Sequence, residues 1–411
     1  MNFWLLLLGV SAGITIYSYA LYPGLLWIVS RLRRPRLVNA SEPAEWPRVT
    51  VTLPAYNAQE TLRPVLEALV RTDYPADRRQ ILVVSDGSTD GTDDLVREYA
   101  AQGVELLRIE GRLGKTEIEN RAFDSIRGDI VVNTDASVTI DPKAIKRLVA
   151  ALGDPNVGVA SARDISVASV GAVGHASEAA YVGYEMWIRD LETAAEGIIG
   201  SSGCLYAIRA PLQRRNLPGH LSRDFSSALW ARLNGVRAVS VRDAICFVPR
   251  AANMQVEFRR KIRTMSRGIQ TLFYHGRLLD PVRYGLFAWF LWSHKLVRWL
   301  VPIALVTGAI SLAALAFGCG GATLLTTSFA NPREAVVMLS RLGLLGLVAG
   351  LSLAAVGWWW PRDGRAPRLA SVAAYFVSGT VAGLIAWKRA LMREGAPVWE
   401  PTPRALADSP R

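Results

Sequence analysis

A chain of 411 residues, 51 % hydrophobic and with a mean hydropathy of +0.20, is too long for one average domain and too apolar to be wholly soluble, so part of it belongs in lipid. The net charge of +12 selects no partner by sign alone, because nucleic acid, anionic headgroups and polyanionic substrates all attract cations. Cys204, Cys246 and Cys319 have no C-x-x-C spacing and are odd in number, which argues against a zinc site and a disulfide framework.

Residues 3–29 carry no charge, and at about 1.5 Å per helical residue they are ample to cross a hydrocarbon core of roughly 30 Å. Arg31, Arg33, Arg34 and Arg36 follow this run, the reverse of a cleaved signal peptide, and the positive-inside rule puts the N-terminus outside and the next segment in the cytoplasm. In the polar middle, β-branched runs at 48–53, 81–85, 104–109 and 129–133 alternate with helical stretches at 59–70, 92–102 and 116–126. This alternation predicts an α/β domain with a mainly parallel, doubly wound sheet, whose ligands bind at the carboxyl ends of the strands.

The strand ends are read in order. Leu53-Pro54-Ala55-Tyr56-Asn57 offers a tyrosine that can stack on a base, in a stretch that is also ordinary turn chemistry. In Ser85-Asp86-Gly87-Ser88-Thr89-Asp90-Gly91-Thr92 the glycines let backbone approach a ligand and Asp86 can accept hydrogen bonds; Arg97, where a calcium loop needs a bidentate Glu, excludes that reading. Gly111-Arg112-Leu113-Gly114-Lys115-Thr116 has the tail of a P-loop, but Ile109 stands where its first glycine belongs, so Lys115 is a phosphate-directed or a solvated cation outside any Walker A motif. In Val132-Asn133-Thr134-Asp135-Ala136-Ser137 the Asp leaving a buried strand is the candidate ligand for Mg²⁺ or Mn²⁺ on a diphosphate.

Beyond the α/β domain, Phe258, Ile262, Met265, Ile269 and Leu272 share one helix face while Arg259, Arg260, Arg263 and Arg267 fall largely elsewhere, as in a helix that lies on an anionic leaflet or packs the domain onto the spans. Trp289, Trp292, His294, Lys295, Arg298 and Trp299 mix aromatic and cationic groups as interfacial anchors do, so His294 reads as an interface residue. Apolar runs follow at 300–317, 335–358 and 370–387. The first two read as a hairpin, with Arg362, Arg365 and Arg368 marking a cytoplasmic return. Four crossings from an outside N-terminus leave Lys388, Arg389, Arg393 and Arg404 outside, so either one run is interfacial or re-entrant or the charge rule is violated. The division expected is 1–30 a membrane helix, 47–250 the α/β domain, 255–298 interfacial helices, 299–390 further spans and 391–411 a tail.

Taken together and in this order, the four strand ends resemble the GT-A domain of the family 2 glycosyltransferases, the group that includes cellulose, chitin and hyaluronan synthases. The resemblance continues through the run from Gly200-Ser201-Ser202-Gly203-Cys204 to Arg209, similar to the family's acceptor-side loop, and through Ser222-Arg223-Asp224-Phe225 with Leu229, Arg232, Leu233 and Gly235, similar to its catalytic-base segment. It reaches Trp399-Glu400-Pro401-Thr402-Pro403-Arg404. It implies that Ala55, Tyr56 and Asn57 lie along the nucleotide, Asp86 contacts base or ribose, Lys115 assists, and Asp135 holds a divalent cation on the diphosphate. Asp224 would be the general base of an inverting transfer, Gly203 and Cys204 would flank the acceptor, and Arg263 and Arg267 would reach toward the diphosphate.

The donor implied is a nucleotide sugar, most commonly a UDP-sugar, and the acceptor is a glycan or lipid-linked, with a bacterial inner membrane as the default site and polysaccharide biosynthesis as the setting. A single-addition transferase charging a polyprenyl phosphate and a non-catalytic sugar-nucleotide-binding subunit are the alternatives; nucleic acid is not expected as a partner, because the basic residues cluster beside spans. Three departures stand out: Asp135-Ala136-Ser137 lacks a second carboxylate, Arg223 precedes Asp224 where an acidic residue is usual and would favour the charged form of Asp224, and no Q-x-x-R-W follows. Cys204 reads as a small packed residue, not a nucleophile, and Glu178 and Glu185 on the helix expected at 176–195 face acceptor or solvent.

Overall fold

Eight strands build one sheet: β1 Val49–Ala55, β2 Arg79–Asp86, β3 Val104–Ile109, β4 Ile130–Thr134, β5 Thr139–Ile140, β6 Val157–Val167, β7 Leu205–Arg209 and β8 Arg237–Pro249. The computed structural model describes residues 1–33, 42–167, 176–214, 216–249, 254–318, 332–360 and 367–392, and the side chains of 176–180 are not part of the description. Arg34, Arg36, Cys319, Arg362, Arg365, Arg393, the 399–404 segment and the Glu178 side chain therefore lie outside the described residues.

The sheet order is β3-β2-β1-β4-β7-β6-β8-β5. From β3 to β4 every pair is parallel, as the alternation of strand and helix requires. Beyond β4 the sheet is mixed: β7 runs antiparallel between β4 and β6, β8 is parallel to β6, and β5 is antiparallel to β8. Alternate residues of the central strands serve opposite faces. Val51, Leu53, Ile81 and Val83 pack with Leu62, Leu66 and Leu69 of the Gln59–Val70 helix, whereas Leu82 and Val84 meet Ile118 and Ala122 on the other side. Burial on both faces anchors the strands, so the residues just past their ends project from a rigid edge.

Four helical segments are long and apolar enough to cross a membrane: Asn2–Leu32, Pro281–Phe317, Pro332–Trp359 and Arg368–Leu391. Pro281–Phe317 begins well before residue 299 and bends at Gly285, whose φ of 52° suits glycine, so residues 281–298 of the stretch expected as interfacial are continuous with this helix. It packs on Asn2–Leu32 through small and hydroxyl side chains: Ser11 Oγ lies 2.9 Å from Thr307 Oγ1 and Tyr17 Oη 2.7 Å from Ser293 Oγ. Pro332–Trp359 forms the expected hairpin with it, Arg341 Nε donating to the Ala316 carbonyl at 3.2 Å.

The fourth segment packs on the amphipathic helix. Arg368–Leu391 lies alongside the amphipathic helix Met254–Tyr274 and in the same direction: Lys261 Nζ sits 3.3 Å from the Tyr375 ring centroid, a Cβ on Gly383 would meet Met265 at 3.2 Å, and Phe273 packs on Trp387. Trp387 also donates to the Trp299 carbonyl at 2.7 Å. Met254–Tyr274 is itself tied to the α/β domain, where Thr271 Oγ1 accepts the Ser222 N–H at 3.0 Å. Lys388 and Arg389 thus end beside the helix that is tied to the α/β domain.

Candidate active site

The tips of β1 and β2 are laced together. Asn57, with φ 44°, accepts the Thr89 N–H at 2.8 Å on Oδ1, Thr92 Oγ1 accepts the Ala58 N–H at 2.8 Å, and Gln59 Oε1 accepts the Gly91 N–H at 3.0 Å. This explains why a polar residue tolerates a left-handed conformation there: its side chain joins two loops. Gly87 has φ 64°, and a Cβ on it would lie 2.7 Å from the Gly111 carbonyl oxygen, so glycine permits the approach of the third loop.

Asp86 is fully buried. Its carboxylate accepts the backbone N–H groups of Leu113 at 2.7 Å and Gly114 at 2.9 Å, fixing the turn that delivers Lys115 to the start of the helix Lys115–Arg121. Both oxygens are thus engaged by backbone, a loop-holding task that the expected base or ribose contact did not include. Above this turn the Arg112 guanidinium lies 4.0 Å from the Tyr56 ring centroid, next to Ala55 at the end of β1.

At the centre, Lys115 Nζ lies 2.5 Å from Asp135 Oδ1, each side chain about one-fifth exposed. Burial works against the ammonium, but Asp135, Glu119 and Asp224 together outweigh it and hold the Lys115 pKa above its ordinary value. Glu119, one helical turn after Lys115, is buried enough that its pKa is raised even though Lys115 and Arg223 favour the charged form. Among the described residues no group of three or more His, Cys, Asp or Glu is gathered for a metal, so Asp135 stands as a single carboxylate. A divalent cation that draws most of its ligands from phosphate oxygens and water needs only one or two carboxylates, and Asp135 at a strand tip fits that demand.

Asp224 opens the helix Arg223–Leu233, with Ser222 at the cap position donating its hydroxyl to Asp224 Oδ1. Gly203 faces this carboxylate: a Cβ there would lie 3.0 Å from Asp224 Oδ2. The acceptor-side loop is joined to the same turn by the Ser201 N–H donating to the Asp224 carbonyl at 3.3 Å. Cys204 is held by its backbone, its carbonyl accepting the Thr134 hydroxyl at 2.9 Å and its N–H donating to Ser202 Oγ at 3.0 Å, and it packs on the main core.

Arg223 corrects an expectation. Its guanidinium points away from Asp224 into an ion pair with Glu119 at 2.9 Å, with side chains 5 % and 2 % exposed, and donates to the carbonyls of Arg214 and Thr116. It is a tether between two helices, so its charge is spent on Glu119 and not on the neighbouring base candidate. Arg267 does reach the site, donating to Thr116 Oγ1 and to the carbonyls of Gly219 and Leu221, each at 2.8 Å. Burial lowers its pKa, opposed by Asp224 and Glu119. Arg263 lies one turn earlier on that helix.

This geometry has counterparts in known proteins. Residues 50–209 match the family described as Glycosyl transferase family 2. Over that segment the chain is similar to that family. A probable glycosyltransferase, YdaM of Bacillus subtilis, is 34 % identical over 113 residues, 26 % of this chain and 27 % of its own length. The undecaprenyl-phosphate 4-deoxy-4-formamido-L-arabinose transferase of Aeromonas hydrophila is 30 % identical over 107 residues, 25 % of this chain and 33 % of its own. The chain thus spans only about a third of the length of these curated relatives. The solved mannosyltransferase PcManGT from Pyrobaculum calidifontis, in complex with GDP-Man and Mn²⁺, is similar over 92 % of this chain and 99 % of its own, at 25 % identity and a TM-score of 0.65.

A second charged cluster of the chain escaped sequence reasoning. His294 is not an interface residue: it is 2 % exposed, with Nδ1 2.6 Å from Glu192 Oε1 and Nε2 3.1 Å from Glu185 Oε2. Tyr22 of the first membrane helix donates to Glu192 Oε1 at 3.0 Å, and Arg298 pairs with Glu185. Burial works against the Glu185 carboxylate, but Arg298 and His294 overcome it and hold its pKa well below the usual range. Glu185 therefore faces neither acceptor nor solvent. The cluster pins the helix Ala176–Ala195, which leads toward the 200–204 loop, to the segments Asn2–Leu32 and Pro281–Phe317. Sequence signals existed for Glu119, four residues from Lys115 on one helix, and for Arg112 within the Lys115 turn; the residues gathered around His294 are too far apart in the chain to have offered one.

Proposed function

We propose that this chain is an inverting glycosyltransferase that moves a sugar from a nucleotide-sugar donor to a glycan or lipid-linked acceptor at the cytoplasmic face of a membrane, in polysaccharide biosynthesis at a bacterial inner membrane. One observation carries the reading: the Asp224 carboxylate, held by Ser222 against Gly203, stands at the strand ends within electrostatic reach of the Lys115–Asp135 pair. The relative solved with GDP-Man and Mn²⁺ supports a nucleoside diphosphate sugar and a divalent cation as ligands.

In this mechanism Tyr56 and Arg112 flank the nucleotide and the Asn57–Thr89 and Asp86–Leu113 links keep its loops in place. Lys115 sits beside the diphosphate, and its positive charge, secured by Asp135 and Glu119, opposes the negative charge of the leaving group. Asp135 would hold Mg²⁺ or Mn²⁺, which supplies further neutralisation of that charge when bound. Asp224 takes the proton of the acceptor hydroxyl as that oxygen attacks the anomeric carbon from the opposite face, and the configuration inverts. Gly203 leaves room for the hydroxyl next to the carboxylate.

The test is nucleoside diphosphate release from a panel of UDP- and GDP-sugars by membranes bearing wild type or Asp224→Asn, with and without Mn²⁺ or Mg²⁺, with sizing of the product. Turnover of one donor, lost by at least about a hundredfold in the Asn variant, is the expected result. Donor binding without turnover on any acceptor-containing membrane would replace this reading with a non-catalytic sugar-nucleotide-binding subunit. Product size separates a polymer from single addition to a polyprenyl phosphate.

A further inference from the structure

Three cationic or titratable residues lie close together in the Pro281–Phe317 helix, and two of them are matched. His294 and Arg298 meet Glu185 and Glu192; Lys295 has no ion pair or hydrogen bond among the described residues. An ionisable side chain in a membrane-spanning segment is costly unless it has a partner, so an unmatched lysine there marks a place for one. Lys295 Nζ lies 5.6 Å from the ring centroid of Phe225 and 6.0 Å from that of Trp299, and Phe225 is the residue after Asp224. The ammonium is thus on the membrane side of the base candidate.

Arg189, on Ala176–Ala195, approaches from the domain side. It makes only two long hydrogen bonds, to Ser161 Oγ at 3.5 Å and to the Ser201 carbonyl at 3.4 Å, and pairs with no carboxylate among the described residues. Its charge repels that of Lys295. Glu185 and Glu192 attract Lys295, but Arg298, His294 and Tyr22 take up both Glu185 oxygens and Glu192 Oε1, and the remaining Glu192 Oε2, buried without a hydrogen bond, makes no ion pair with Lys295. Two cations with no ion pair among the described residues, one on the Pro281–Phe317 helix and one hydrogen-bonded to the Ser201 carbonyl, define a place for an anion that arrives from the lipid.

We infer that Arg189 and Lys295 form a phosphate site for a membrane lipid on the acceptor side of Asp224. The two sources of such a phosphate are a lipid-linked acceptor of the polyprenyl phosphate type and a bulk phospholipid headgroup. Charge-assisted hydrogen bonds from both cations hold the phosphate. Phe225, in contact with both Lys295 and Trp299, directly follows Asp224 in the chain, so an acceptor carried by that lipid comes close to Asp224. The inference rests on Asp224 being the acceptor-side base.

The experiment is native mass spectrometry of the full chain in a zwitterionic detergent, titrated with polyprenyl phosphate, with polyprenol of the same length and with phosphatidylglycerol. The phosphate is expected to bind at least about tenfold more tightly than the alcohol, as loss of one charge-assisted contact implies. That preference should collapse in Lys295→Gln and in Arg189→Gln and return in Lys295→Arg, with donor affinity kept as evidence of folding. Competition by phosphatidylglycerol supports the site with bulk phospholipid as occupant, and its absence supports the site with the lipid-linked acceptor. Equal binding of phosphate and alcohol by wild type, or an unchanged preference in Lys295→Gln, overturns the inference. The readout needs no turnover, so an inactive protein that keeps the preference would sink the transferase reading alone.

Discussion

At the strand ends, Lys115 and Asp135 keep 18 % and 20 % of their side chains exposed, whereas at the membrane junction His294 and Glu192 keep 2 % and 1 %. Both regions pair acids with bases inside the protein, but only the first can exchange partners with something from solution. A phosphate or a cation can take the place of one member of the Lys115–Asp135 pair at little desolvation cost. Opening the His294–Glu192 contact strands a charge in an apolar setting, which is expensive. Similar side-chain chemistry therefore serves ligand exchange in one place and a fixed connection in the other, and burial makes the difference.

The comparison breaks if the junction tolerates loss of a partner. Arg298→Ala leaves Glu185 buried without its main cation and should lower stability by about 3–5 kcal/mol in denaturant unfolding, while the folded fraction keeps its donor affinity. An unchanged midpoint would show that the junction is as exchangeable as the strand ends. A smaller effect, confined to the strand ends, sharpens the contrast: Gly203→Ala puts a Cβ 3.0 Å from Asp224 Oδ2 and should reduce turnover about tenfold with stability and donor binding retained.

The smallest effect concerns His275, just past the amphipathic helix. Burial, with Arg214 and Arg277 nearby, lowers its pKa from 6.5 to about 4. The unfolded chain takes up the proton first as pH falls, so the stability due to neutral His275 is complete above pH 6.5 and is lost progressively toward pH 4. The melting temperature should drop between pH 7 and pH 5, and drop less in His275→Gln; identical profiles would show that this histidine is accessible and titrates normally.

Much of the parallel half of the fold was legible. The runs at 48–53, 81–85, 104–109 and 129–133 match β1 to β4 to within two residues at either end, and 176–195 matches its helix, because hydrophobic period and turn residues are local properties. The antiparallel insertion of β7 between β4 and β6 was not legible, since strand direction and pairing partner are set across long loops. The same holds within the site. Asp86, Lys115 and Asp135 were legible because each lies at or within six residues of the end of a strand. Arg223 was visible only as a neighbour of Asp224; that it turns away toward Glu119, 104 residues distant, was not.

The sequence by itself determined where the strands end, which side chains those ends present, and which stretches are apolar enough for lipid, all consequences of spacing within a few helical turns. Only the tertiary structure decided that the last apolar helix lies beside the amphipathic one, that His294 is enclosed by Glu185 and Glu192, and that Lys295 rests on Phe225 and Trp299 with no ion pair among the described residues. The reason is that pairing of buried charges depends on distances between segments a hundred or more residues apart, and no local pattern encodes those distances.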